Sequence, residues 1–243
     1  MNISRKWIVA HRGDTSAAAR ENTLAAFEAA IALGADMIEL DVQQLADGIL
    51  VVFHDDEIQG EKLEKIVFAR FYEYCVSSGR DLVTLRHVLD ACAGRILFDV
   101  ELKRARVDDV LRVLTTARLR IDDYVLSSFD PDAILKIRAA SPGIRTALLT
   151  EDIGIDEAER ILQRVGADLW APDCKTVDDE ALARCQQLRI TLLPWSVDVD
   201  DDFRRLLSAN NVAGIITDRT RRALEIRRKL EREALGPGNI TLF

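Results

Sequence analysis

Short runs of β-branched and aliphatic residues recur along this chain, each followed by a longer stretch of helical period, and that alternation admits few architectures. The runs are Trp7–His11, Asp36–Gln43, Ile49–His54, Arg95–Lys103, Tyr124–Phe129, Ile144–Thr150, Asp168–Pro172, Ile190–Val197 and Ala213–Asp218. Between them, apolar residues fall on single helix faces, as with Leu24, Phe27 and Ile31, or Leu85, Val88, Leu89 and Cys92. Gly34 and Gly166 each open a Gly-Ala-Asp triplet between a helical stretch and a strand, where glycine can end a helix in the left-handed conformation. Parallel strands joined by helices are the expectation.

One junction breaks the rule. The run ending at Gln43 and the run beginning at Ile49 are too close for a parallel crossover, which needs a dozen residues or more. The Asp47-Gly48 pair between them favours a tight hairpin, so one run is an antiparallel addition and eight remain. Eight parallel strands predict an α/β fold, a TIM (β/α)8 barrel with an added short antiparallel hairpin. An open doubly wound sheet is the other arrangement, but no glycine-rich loop follows the first strand. The stretch 55–82 fits least well. It is expected to be a small excursion near the barrel mouth, with one helical stretch through Leu63, Ile66, Val67, Phe71 and Tyr74. The charged run Arg219–Glu233 suits a solvated last helix.

At 243 residues with 48% apolar and 30% charged, the sequence predicts one soluble globular domain over 1–243. Its net charge of −8 disfavours nucleic acid and anionic membrane as partners. No apolar stretch approaches the roughly 20 residues of a membrane span. Only Trp7–Ala10 follows the first basic residues, too short for a signal peptide's apolar region, so a cytoplasmic location is expected. Cys75, Cys92, Cys174 and Cys185 are scattered without zinc spacing and read as reduced, packed thiols.

Active sites of such barrels lie at the C-terminal ends of the strands. There the sequence places His11-Arg12-Gly13, Glu39 and Asp41, His54-Asp55, and Glu101 and Lys103. Residues two apart on a strand share a face, so Glu39 and Asp41 point to the barrel interior together, and Glu101 with Lys103 repeats the geometry. Three converging carboxylates repel unless protonated or bound to a cation, and an all-oxygen set suits Mg²⁺ or Ca²⁺. The other reading of each acid is a partner for Arg12 or Lys103 in a buried network. Imidazole titrates near neutral pH, so His11 and His54, at strand ends beside the acids, can divide proton removal and donation. His87 falls in the helical stretch 84–92 and reads as a surface residue. Arg12 and Lys103 add the positive charge a phosphoryl group requires, while Phe129 and Trp195 could wall a pocket or simply pack in the core.

These residues lie within ordered motifs: AHRGD at 10–14, ENTLAAF at 21–27, GADMIELDVQQLADGILVVFHDD at 34–56, VTL at 83–85, VELK at 100–103, SSF at 127–129, PWSV at 194–197 and ITD at 216–218. The sequence thereby resembles the glycerophosphodiester phosphodiesterases. The resemblance implies one divalent ion, Mg²⁺ or Ca²⁺, held by Glu39, Asp41 and Glu101, with His11 and His54 as the acid/base pair and Arg12 and Lys103 on the phosphate. It implies a small phosphodiester substrate, opened through a cyclic phosphate to an alcohol and glycerol phosphate. Two further readings remain at this stage: a phospholipase-like enzyme acting on a lysophospholipid or phosphoinositol head group, and a barrel that only binds phosphorylated ligands. Arg20 and Arg86 depart from the family pattern, and the insertion that usually follows the second histidine is shortened or replaced between Asp55 and Leu82.

Overall fold

The computed structural model describes residues 5–16 and 19–235. β1 (Trp7–Ala10) leads into α1 (Leu24–Leu33), where Thr23 accepts a hydrogen bond from the Ala26 amide at 3.2 Å and starts the helix. Gly34 ends that helix at φ 84° and Gly166 ends a later one at φ 67°, as their triplets predict. β2 (Met37–Gln44) then turns back at Asp47-Gly48 into β3 (Leu50–Val52), paired antiparallel to it, with Val42 opposite Val52.

Next come the short hairpin β4 (Glu57–Ile58) and β5 (Glu61–Lys62), then α2 (Phe68–Ser78) and α3 (Leu85–Cys92). The barrel resumes with β6 (Leu97–Arg104), α4 (Val107–Thr116), β7 (Tyr124–Ser128), α5 (Pro131–Ala140), β8 (Arg145–Thr150), α6 (Ile155–Val165), β9 (Leu169–Pro172), α7 (Asp179–Leu188), α8 (Asp200–Ser208), β10 (Gly214–Thr217) and α9 (Thr220–Leu235). Seven parallel strands run in the order β10-β1-β2-β6-β7-β8-β9.

The eighth stave is the expected run Ile190–Val197, present as isolated parallel bridges rather than a regular strand. Leu192 bridges both Trp170 and Val212, and Trp195 bridges Asp173. Pro194 explains the irregularity. It has no amide hydrogen to give to the ladder, yet its carbonyl accepts from Ile216 at 2.9 Å, so the ring closes all the same.

Strand parity divides the core in two. On β2, Ile38, Leu40 and Val42 pack outward against the helices, while Met37 joins Val9, Val125, Ala147, Leu149, Leu169, Ala171, Leu193 and Ile216 inside the barrel. That apolar plug fills the interior below Glu39 and Asp41. A third cluster lies under the excursion, where Phe53 and Val51 of the hairpin meet Leu63, Ile66, Phe71 and Cys75. The helix there starts at Phe68, later than the apolar period suggests, because Leu63–Lys65 forms a separate 3-10 turn. Asp47, in the β2–β3 turn, accepts the Phe68 amide at 2.8 Å and fixes that start. His87 is exposed, and all four cysteines are buried free thiols. Among the described residues no helix is long and apolar enough to cross a membrane.

Candidate active site

The turn after β1 brings the first candidates into place. Arg12 sits at φ 53° and Gly13 at φ 91°, and a Cβ on Gly13 would meet the Ala26 Cβ at 2.7 Å, so this turn lies directly against α1. The Arg12 amide donates to Glu39 Oε2 at 2.9 Å, and its guanidinium Nε lies 3.1 Å from Asp41 Oδ2. Asn22 donates to the same Asp41 oxygen at 2.7 Å. Each acid therefore has one oxygen engaged by the fold, while Glu39 Oε1 and Asp41 Oδ1 are buried without a hydrogen bond from any described residue.

Glu101, from β6, completes the group. One oxygen each of Glu39, Asp41 and Glu101 lie within 4.8 Å of one another. Burial pushes the Glu39 carboxyl well above the usual carboxylate range, with Asp41 and Glu101 adding to the effect. The same causes, burial first and then Asp41, raise Glu101 to about 8, although Lys103 opposes them. Lys103 Nζ lies 3.8 Å from both Asp41 Oδ1 and Glu101 Oε1. Three buried carboxylates, two with bare oxygens, fit a hard divalent cation. The pairing of Asp41 with Arg12 coexists with that geometry.

The two histidines stand on opposite kinds of support. His11 Nδ1 lies 2.8 Å from Asp218 Oδ1 beyond β10, with Ser196 Oγ at 3.5 Å. The hydrogen bond to His11 holds the Asp218 carboxyl below its usual range, against the opposing effect of burial. His54 Nδ1 lies 3.1 Å from Asp55 Oδ1, and its loop is fixed by Gln43, which donates to the Asp55 carbonyl at 2.8 Å. The Phe53 amide also donates to the Asp41 carbonyl at 3.0 Å, so the hairpin brings His54 back beside the acids. In both rings Nδ1 is engaged and Nε2 remains for a ligand.

A cavity of about 260 Å³ gathers His11, Arg12, Glu39, His54, Glu101, Lys103, Phe129 and Trp195, eight of the nine residues predicted from sequence. Asp41, 1% exposed, lies behind the wall against Arg12 and Asn22. Phe129 and Trp195 meet edge to face at 5.5 Å, and Trp195 is fixed by its indole N–H donating to the Ala171 carbonyl at 3.0 Å. A larger open hollow, about 1200 Å³, runs past Gln44, Arg104 and Lys136, but it gathers neither histidine nor the three acids.

Sequence reasoning missed three residues here. Asn22 and Asp218 reach their partners across 19 and 207 residues, and no local spacing announces such contacts. Asp99 had a signal: it precedes Glu101 by two and shares its inward parity. Its Oδ1 accepts from Ser127 Oγ at 2.6 Å, and burial raises its carboxyl to about 6 against the pull of Ser127 and His11.

Known proteins share this architecture. A glycerophosphodiester phosphodiesterase of Caldanaerobacter subterraneus is 29% identical over 91% of this chain and 98% of its own. In fold, a glycerophosphodiester phosphodiesterase from Parabacteroides distasonis superposes with a TM-score of 0.79 at 22% identity, over 93% of this chain and 98% of its own. A phosphodiesterase from Oleispira antarctica, solved with its product sn-glycerol-3-phosphate, gives 0.78 at 21% identity, over 90% and 96%. The profile of the glycerophosphoryl diester phosphodiesterase family matches residues 11–62 and 94–222 and passes over 63–93, the stretch holding α2 and α3. By that match, the chain belongs to the glycerophosphoryl diester phosphodiesterase family.

Proposed function

We propose that this protein hydrolyses glycerophosphodiesters to an alcohol and glycerol phosphate, with His11 and His54 as its acid/base pair and Glu39, Asp41 and Glu101 as the ligands of one Mg²⁺ or Ca²⁺. The observation that carries the reading is the juxtaposition of three buried carboxylates with two imidazoles, each anchored through Nδ1, around one small cavity. The cation, when bound, stabilises negative charge on the phosphoryl oxygens and lowers the pKa of the attacking hydroxyl.

The side chains supply the rest. Arg12 and Lys103 orient the phosphoryl group, Arg12 being held by Asp41 and Glu21 at 3.1 Å each. One imidazole takes the proton of a glycerol hydroxyl as its oxygen bonds to phosphorus. The other gives a proton to the departing alcohol oxygen as the old P–O bond breaks. The resulting cyclic phosphate is opened by water with the two roles exchanged, which restores both rings. Phe129 and Trp195 help wall the cavity, and its charged lining favours a small polar diester over a lysophospholipid.

The test is release of glycerol phosphate from a panel of glycerophosphodiesters, among them those of choline and ethanolamine, with Mg²⁺ or Ca²⁺ and with chelator. Cation-dependent release that His11→Ala abolishes supports the reading. Cation binding without release from any diester would leave a binding protein in its place.

A further inference from the structure

Asp99 is a fully buried carboxylate that the proposed chemistry does not use. It faces the barrel interior one step below Glu101, beside Glu39 in register, and lies at the boundary between the apolar plug and the site. Its Oδ1 is taken by the Ser127 hydroxyl at 2.6 Å, while Oδ2 is buried with no hydrogen-bond partner among the described residues. Both residues line the cavity. Asp99 is also absent from the group whose oxygens lie within 4.8 Å of one another, so the bare oxygen is not explained by the cation site. An unpaired buried carboxylate oxygen is costly unless a donor reaches it.

The floor sets terms for that donor. Asp99, Glu39 and Glu101 make it negative, which excludes a second phosphate or a carboxylate, and Leu149 and Ile216 flank it with apolar surface. What fits is a small hydrogen-bond donor, a hydroxyl or an ammonium, and the proposed reaction places a hydroxyl there. Under the proposed reaction, the glycerol moiety has its middle hydroxyl carried to phosphorus and must be held at its other end.

We propose that Asp99, oriented by Ser127, accepts a hydrogen bond from the terminal hydroxyl of the substrate's glycerol and so selects glycerol over its deoxy analogues. The inference rests on the function proposed above. Asp99 thereby touches substrate without exchanging a proton with it, a role in binding and positioning.

Two diesters with the same leaving alcohol provide the test, one of glycerol and one of 1,2-propanediol, which keeps the attacking hydroxyl and lacks the terminal one. The wild-type enzyme should favour the glycerol diester about ten- to hundredfold in kcat/KM, the worth of a hydrogen bond to a charged group. Asp99→Ala should bring that ratio to about one through loss on the glycerol diester alone, and Asp99→Asn, which keeps an acceptor, should retain part of it. Calorimetric binding of glycerol phosphate against 1,2-propanediol phosphate to wild-type protein reads the same contact without a variant or turnover, and should show at least a tenfold difference. Equal handling of both diesters and both phosphates overturns the proposal. So does a ratio unchanged in Asp99→Ala, or an ethanolamine-over-neutral leaving-group preference that vanishes in that variant. If neither diester is hydrolysed the proposed function fails, while the binding comparison still decides the role of Asp99.

Discussion

His11 Nδ1 and Asp218 Oδ1 lie 2.8 Å apart, a pairing across 207 residues that joins the ends of the first and last barrel strands. A carboxylate on Nδ1 fixes which nitrogen carries the proton and stabilises the imidazolium when it forms. Asp218→Asn should keep the fold and lower kcat roughly tenfold to hundredfold, with little change in KM. Steady-state kinetics beside a circular dichroism melt check this, and an unaltered kcat would reduce Asp218 to a surface residue.

Removal of either imidazole should cost more. His11→Ala and His54→Ala should each fold and lose at least roughly 10²-fold in turnover, within the 10²–10⁴ range of general acid/base catalysis. Near-normal rates in either variant would remove that ring from the pair.

Cation binding should couple to pH in a direction the acids dictate. Without the ion, burial holds the Glu101 carboxyl up to about 8, against about 4.3 for an unfolded glutamate, and raises Glu39 likewise. Between those values the folded chain keeps protons that the unfolded chain has lost, so this contribution to stability falls as pH rises. A bound cation displaces those protons, and its affinity therefore grows with pH over the same window. The rise in melting temperature on adding Mg²⁺ or Ca²⁺ should be larger at pH 8 than at pH 5.5, with Glu101→Gln flattening the difference. An increment independent of pH would contradict the site.

Gly13→Ala should be among the most damaging single-methyl changes in the chain. The new Cβ would lie 2.7 Å from that of Ala26 while φ stays at 91°. Overpacking typically costs about 1–3 kcal/mol, and the left-handed backbone adds about 1–2. Thermal or urea unfolding should show the loss, and because Arg12 precedes this glycine, activity should fall with it.

How far the sequence carried this reading depended on the distance between partners. The hairpin at Asp47-Gly48 and the helix ends at Gly34 and Gly166 are local chemistry, and each formed as predicted. The parity of Glu39, Asp41, Glu101 and Lys103 on their strands was equally local, and it placed the acids together. The run through Pro194 was legible as a strand but not as a broken one, since which amides a stave must donate depends on its neighbours. The start of α2 was misread because Leu63 and Ile66 satisfy a helical period while serving a 3-10 turn. Asn22 and Asp218 stayed hidden because nothing near them in sequence needs them.

His54 does not stand on a barrel strand. It follows the antiparallel β3, and the preceding Phe53 packs edge to face on Phe71 at 5.4 Å and Tyr74 at 6.3 Å, both in α2. The helix is tethered in turn to the β2–β3 turn through Asp47. α2, in the stretch the family profile passes over, thus buttresses the residue that precedes His54, while His11 is held by the barrel through Asp218. A change in α2 would therefore reach His54 through Phe53 and leave His11, paired with Asp218, and the three carboxylates where the staves put them.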